Sequence, residues 1–162
     1  MKKLLLGIAA VCLAGFTFAQ DAPLWMRHSV ISPDGTTIAF TYKGDIYTVP
    51  VAGGRAMQIT TNPAYDTAPV WSPDSKRIAF ASDRMGSLDV YIVAKDGGEP
   101  RRLTTHSGSE TPLAFTDAGH VLFSAGIMPS AEAVVFPSNG QYNQVYRVSV
   151  EGGRPTMLSS KP

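Results

Sequence analysis

The sequence predicts an all-β chain, a partial β-propeller of three four-stranded antiparallel blades. Three observations carry this expectation. A stretch of about 40 residues recurs three times with the same internal order of elements. Each copy alternates short apolar runs with Gly, Pro and Asp, the pattern of strands joined by tight turns. Four such strands in about 40 residues make one propeller blade.

The clearest copy runs from Ala68 to Thr105. Val70-Trp71 reads as a short apolar strand. Ser72-Pro73-Asp74-Ser75 reads as a turn, because Pro presets φ and the Ser and Asp side chains can bond nearby backbone amides. Arg77 to Ser82 is the second strand, with Ile78 and Phe80 on one face and Ala79 and Ala81 on the other. Asp83 to Leu88 is a polar loop. Asp89 to Ala94 is the third strand, and Lys95-Asp96-Gly97-Gly98 a hairpin turn whose paired Gly residues accept positive φ. Arg101 to Thr105 is the fourth strand, expected at an outer edge that Arg101 and Arg102 keep from pairing. Strands two and three are apolar on both faces, one face small and one large, as a sheet packed between two other sheets requires.

The other copies set the period. Ser32-Pro33-Asp34-Gly35 returns 40 residues later as Ser72-Pro73-Asp74-Ser75, and Ile38-Ala39-Phe40 returns at the same spacing. Asp45-Ile46-Tyr47 returns 44 residues later as Asp89-Val90-Tyr91, as do Gly53-Gly54 and Ile59-Thr60-Thr61. The second copy therefore has four more residues between its second and third strands. The third copy is looser. Phe115 to Gly119 stands for the Trp-Ser-Pro-Asp stretch without its Pro, Val121-Leu122-Phe123 for Ile-Ala-Phe, and Val145-Tyr146 for Val-Tyr. Its second-to-third-strand loop gains 12 residues.

These repeated residues resemble the WD-like propeller repeat of TolB-like proteins and tricorn-type proteases. Pro23-Leu24-Trp25-Met26-Arg27, ahead of the first turn, is similar to the start of secreted bacterial tricorn-type serine peptidases. The resemblance covers about residues 23 to 160. It implies a propeller that guides peptides to or from a catalytic chamber and docks on other domains or subunits of a larger peptidase. The catalytic Ser of that family sits in a carboxyl-terminal-processing-type domain downstream of the propellers. Nothing here matches that domain, so no catalytic residue is carried over. The alternative is a TolB-like periplasmic protein-binding scaffold.

The N-terminus reads as an export leader over residues 1–19, with the three repeats filling 20–162 at about 25–66, 67–110 and 111–160. Lys2 and Lys3 precede an apolar run from Leu4 to Phe16, and Thr17-Phe18-Ala19 is a cleavage site before Gln20. The apolar run is too short to span a bilayer, so no membrane association is expected after cleavage. Cleavage removes both lysines from 14 basic residues and leaves 13 acidic ones, a charge near −1 that disfavours nucleic acid. It also removes Cys12, the single cysteine. The expected location is the periplasm or the exterior. Three blades are fewer than the roughly 4 to 8 that close a propeller. The chain is therefore expected to be part of a larger one, with a self-assembled six-bladed ring as the lesser alternative and apolar faces exposed on its end sheets.

No catalytic constellation is present in the sequence. It has no G-x-S-x-G, H-E-x-x-H, P-loop or G-x-G-x-x-G. His28, His106 and His120 stand in or beside turns and read as structural. Asp83 to Asp89 has a faint calcium-loop spacing without the terminal bidentate Glu, and no metal or cofactor is expected. Asp34 and Asp74 read as turn-capping, and Trp25, Trp71 and Phe115 as core. The turns between strands one and two and between three and four belong on one face. The variable loops belong on the other, where function is expected. The candidate interaction loop is Ser124 to Asn143. It places Met128, Val134, Val135 and Phe136 among prolines, and each such side chain gains roughly 1.5 to 3 kcal/mol on burial.

Overall fold

The computed structural model describes residues 25–126 and 143–158. They form three four-stranded antiparallel sheets. The first holds β1 (Arg27–Ile31), β2 (Thr37–Tyr42), β3 (Asp45–Pro50) and β4 (Met57–Gln58). The second holds β5 (Asp66–Trp71), β6 (Arg77–Ser82), β7 (Asp89–Ala94) and β8 (Arg101–Arg102). The third holds β9 (Glu110–Asp117), β10 (His120–Ala125), β11 (Gln144–Ser149) and β12 (Thr156–Met157). Each sheet keeps its strands in chain order, and the first strands of successive sheets lie beside one another. This is the blade arrangement that the repeats predict.

The register repeats with the sequence. Phe40 faces Tyr47, Phe80 faces Tyr91 and Phe123 faces Tyr146 across the central strand pairs. Their rings stack with centroids 5.8, 5.9 and 5.5 Å apart, each pair adding about 0.5–1.5 kcal/mol beyond its burial. The large face of each blade packs on the small face of the one before. Ile78, Phe80, Tyr91 and Val93 of blade 2 meet Ala39, Ile46 and Ile59 of blade 1. Val121, Phe123, Tyr146 and Val148 of blade 3 meet Ala79, Val90, Ile92 and Leu103 of blade 2. Alternation along β6 thus sends one strand's side chains into two cores.

The Ser-Pro-Asp turns close as their chemistry requires. Ser72 donates its hydroxyl to Asp74 (2.6 Å) and accepts from the Arg77 amide (2.9 Å). Asp74 also accepts from the Lys76 amide at 3.1 Å. Ser32 and Asp34 repeat the arrangement with the Thr37 and Thr36 amides, both at 3.0 Å. These bonds hold both Asp carboxyls below the usual range, led by the Ser hydroxyl. A bulge also repeats. His28 and Ala68 each hold φ at 52° where the first strand slips register against the second.

Several elements differ from expectation. The first strand of blade 2 begins at Asp66, four residues ahead of Val70, because the bulge lets pairing resume beyond it. β8 ends at Arg102, since Leu103 and Thr104 turn into the interior. Arg102 is no simple edge charge, standing 2.8 Å from the buried Asp89 carboxylate. In blade 3, Thr116 and Asp117 continue β9 up to a two-residue turn at Ala118-Gly119, because no Pro withholds an amide from the ladder. Trp25 is 70% exposed and not core. Its ring lies 5.6 Å from the Arg27 guanidinium. On the outer face of blade 1, Ile38, Tyr47 and Val49 are partly buried rather than open.

Candidate functional site

Strand order gives the blades two distinct rims. The Ser-Pro-Asp and Gly-Gly turns form one. The β2–β3 and β6–β7 loops and the links between blades form the other. On the loop rim, each junction between blades carries a box of polar groups built around buried carboxyl and hydroxyl side chains.

In the first box the Asp66 amide donates to the Gly44 carbonyl (2.7 Å), which ties blade 2 to the β2–β3 loop. The Asp66 carboxylate is fully buried and takes both its hydrogen bonds from Arg84 Nη2, at 3.0 and 3.1 Å. Arg84 is fixed by the Ser82 hydroxyl (2.9 Å) and lies over the Tyr91 ring at 4.5 Å. Asp45 accepts from Gln58 (3.0 Å) and Thr60 (3.3 Å), while Thr60 accepts from the Ile46 amide (3.0 Å). Burial, with Asp66 nearby, nonetheless raises the Asp45 carboxyl above the ordinary range.

The second box repeats the first 44 residues on. The Glu110 amide donates to the Leu88 carbonyl (2.7 Å), and Thr104 accepts from the Val90 amide (2.9 Å). Arg102 approaches Asp89 in the place that Gln58 takes beside Asp45. Glu110 and Asp89 are both fully buried, and none of their four carboxylate oxygens has an aligned hydrogen-bond partner. Burial pushes the Glu110 carboxyl up to about 7. Asp89 adds to this, and the Thr104 hydroxyl and Arg102 offset it only in part.

The opposite rim carries an apolar groove of about 420 Å³ at the ends of the three first strands. Ile31, Trp71 and Phe115 line it from equivalent repeat positions, with Pro33, Pro73 and Leu113 beside them. Trp71 is itself buried in the core between blades 1 and 2, as expected, and donates its indole N–H to the Val30 carbonyl at 3.2 Å. Ile31 and Leu113 are 57% and 48% exposed. Sequence reasoning missed this groove, although the signal was present in the large apolar residue before each turn.

The three histidines are locally engaged. His28 lies 3.0 Å from the Thr67 hydroxyl, His106 accepts from the Gly108 amide (3.0 Å), and His120 pairs with Asp117 at 3.1 Å. Asp83 accepts from the Tyr65 amide at 2.7 Å. Among the described residues no group of three His, Cys, Asp or Glu is disposed to hold a metal ion. Met128, Val134, Val135 and Phe136 of the interaction loop lie outside the described residues.

A family model of the tricorn protease N-terminal beta propeller domain matches residues 23–162. The chain belongs to this family. Over 102 residues the tricorn-type propeller is 35% identical to tricorn protease homolog 1 of Streptomyces coelicolor, covering 62% of this chain and 9% of that protein. Over 129 residues it is 30% identical to the uncharacterized peptidase YuxL of Bacillus subtilis, covering 78% of this chain and 20% of that one. The structure of a putative TolB from Agrobacterium tumefaciens superposes with a TM-score of 0.66 at 22% identity, over 85% of this chain and 50% of that one. The tricorn-type propeller thus spans a fifth or less of these two curated relatives.

Proposed function

We propose that this chain is the non-catalytic propeller portion of an exported tricorn-like serine peptidase, where it guides peptide segments and docks on the rest of the enzyme. The observation that carries the reading is the apolar groove. Three blades contribute equivalent residues to it, and Ile31 and Leu113 stay open to solvent. An extended peptide with apolar side chains would gain roughly 25 cal/mol for each Å² of apolar surface it buries there. Family membership supports the peptidase context. The leader pattern of residues 1–19 supports export, with a mature start at Gln20. The apolar run around Met128, Val134, Val135 and Phe136 supports docking. The likeness to TolB favours a second reading, a protein-binding scaffold without an attached peptidase.

Titration of the indole fluorescence with apolar and acidic peptides tests the guiding role. Apolar peptides should bind, and Ile31→Asp with Leu113→Asp should weaken binding at least tenfold without lowering the melting temperature. Equal binding by the double variant would remove the groove from the account. Amino-terminal sequencing of secreted protein checks export, and a mature form that keeps Met1 would refute it.

A further inference from the structure

The second polar box lacks a cation that the first one has. Asp66 is neutralised by Arg84, which comes from the β6–β7 loop of its own blade. Glu110 is its counterpart 44 residues later, and the corresponding connection of blade 3, residues 126 to 143, contains no Lys or Arg. The guanidinium at this box is Arg102, and it stands against Asp89.

Among the described residues, two fully buried carboxyls therefore share one cation. The neighbours of Glu110 among the described residues offer no further charge to balance it. β10 sets Ala125 opposite it, and β11 brings the neutral Gln144, whose Oε1 is buried without a partner. β5 contributes Asp66, already held by Arg84. The charge on β6, Arg77, is turned away to the Ala118 carbonyl at the other rim. β7 contributes Asp89, and the stretch at the end of β8 contributes Arg102 and Thr104. A second unpaired negative charge in such a place costs more than holding a proton.

We propose that Glu110 is a proton-operated latch between blades 2 and 3. Protonated, its carboxyl rests beside the Asp89 carboxylate and keeps the start of β9 against the Leu88 carbonyl. When the proton leaves to solvent, two like charges face one guanidinium and the joint loosens. The rise of the Glu110 carboxyl from 4.5 to about 7 agrees with this geometry. Because the folded value lies above the unfolded one, folding takes up a proton between about pH 4.5 and 7. The stabilisation is complete at lower pH and is lost as pH climbs to about 7. This latch concerns the joint between blades and does not depend on what the groove binds.

The test combines a carbon-13 NMR titration of the Glu110 carboxyl in the full chain with melting curves from pH 5 to 8 for wild type, Glu110→Gln and Asp89→Asn. The Glu110 midpoint should lie near 7 and fall in Asp89→Asn. The wild-type folding constant should fall by up to tenfold per pH unit between pH 5 and 7 relative to Glu110→Gln, which cannot ionise. A wild-type midpoint below about 5 would overturn the latch, as would parallel pH profiles for wild type and Glu110→Gln. If Glu110→Gln fails to fold, the wild-type titration alone decides.

Discussion

Ser72 shows how much one hydroxyl can do in a repeat. It is fully buried, donates to Asp74 and accepts from the Arg77 amide, so it closes the turn from both sides. Ser72→Ala leaves that partly buried amide without its hydroxyl partner and should cost about 1–3 kcal/mol, measured by urea unfolding at pH 7. The partner Asp74 has a depressed carboxyl. Its contribution is therefore present above the unfolded carboxylate range and fades as pH falls through it, opposite in sign to Glu110. Asp74→Asn should flatten that acid limb and leave the neutral limb unchanged. Ser75 adds a cross-blade link. It holds φ at 57°, where the first repeat uses Gly35 at 72°. A β-carbon in that region costs about 1 kcal/mol or more. In return the Ser75 hydroxyl accepts from the Asp34 amide of blade 1 at 3.1 Å.

Among the elements, ion pairs of the same kind carry very different weight. Arg84 to Asp66 joins the β6–β7 loop to β5, and the carboxylate is fully buried. Arg84→Met would strand that charge and should cost about 3–5 kcal/mol, while adding Asp66→Asn should recover part of the loss. Arg101 to Glu151 joins β8 to the β11–β12 turn, with side chains 48% and 75% exposed. Solvent screens that pair, so Glu151→Gln should change stability by less than about 1 kcal/mol. Thermal melts of the three variants check this order. Equal losses from Arg84→Met and Glu151→Gln would contradict the burial argument.

For the whole molecule, stability is a chain of neighbouring interfaces rather than one core. Phe123 is fully buried between blades 2 and 3, and Phe80 takes the same place between blades 1 and 2. Phe123→Ala should cost about 3–5 kcal/mol. Because neighbouring terms dominate in stacked repeats, amide exchange should accelerate most in β9 to β11 and least in β1 to β3. Uniform acceleration across all three sheets would mean that the blades unfold as a single cooperative unit.

By itself the sequence determined the repeats, the all-β class and the sheet interiors. Those features follow from local physics, namely alternation along β2, β6 and β10 and turn chemistry at the Ser-Pro-Asp and Gly-Gly stretches. The strands Arg77–Ser82 and Asp89–Ala94 were legible to the residue because polar turns bound them on both sides. The groove and the polar boxes were not legible in this way. Trp71 and Phe115 read as core, and both do pack into the sheet interiors, yet with Ile31 they have a second role. They line a groove only because three first strands end side by side. Arg102 reads as an edge charge until β7 places Asp89 beneath it. Glu110 reads as a residue in a linker, with Ser and Gly around it. Its burial depends on contacts with blade 2, and its charge balance on an arginine that blade 2 has and residues 126 to 143 lack. Local patterning depends on neighbours along the chain, whereas burial and charge pairing depend on neighbours in space, and those only the tertiary structure decided.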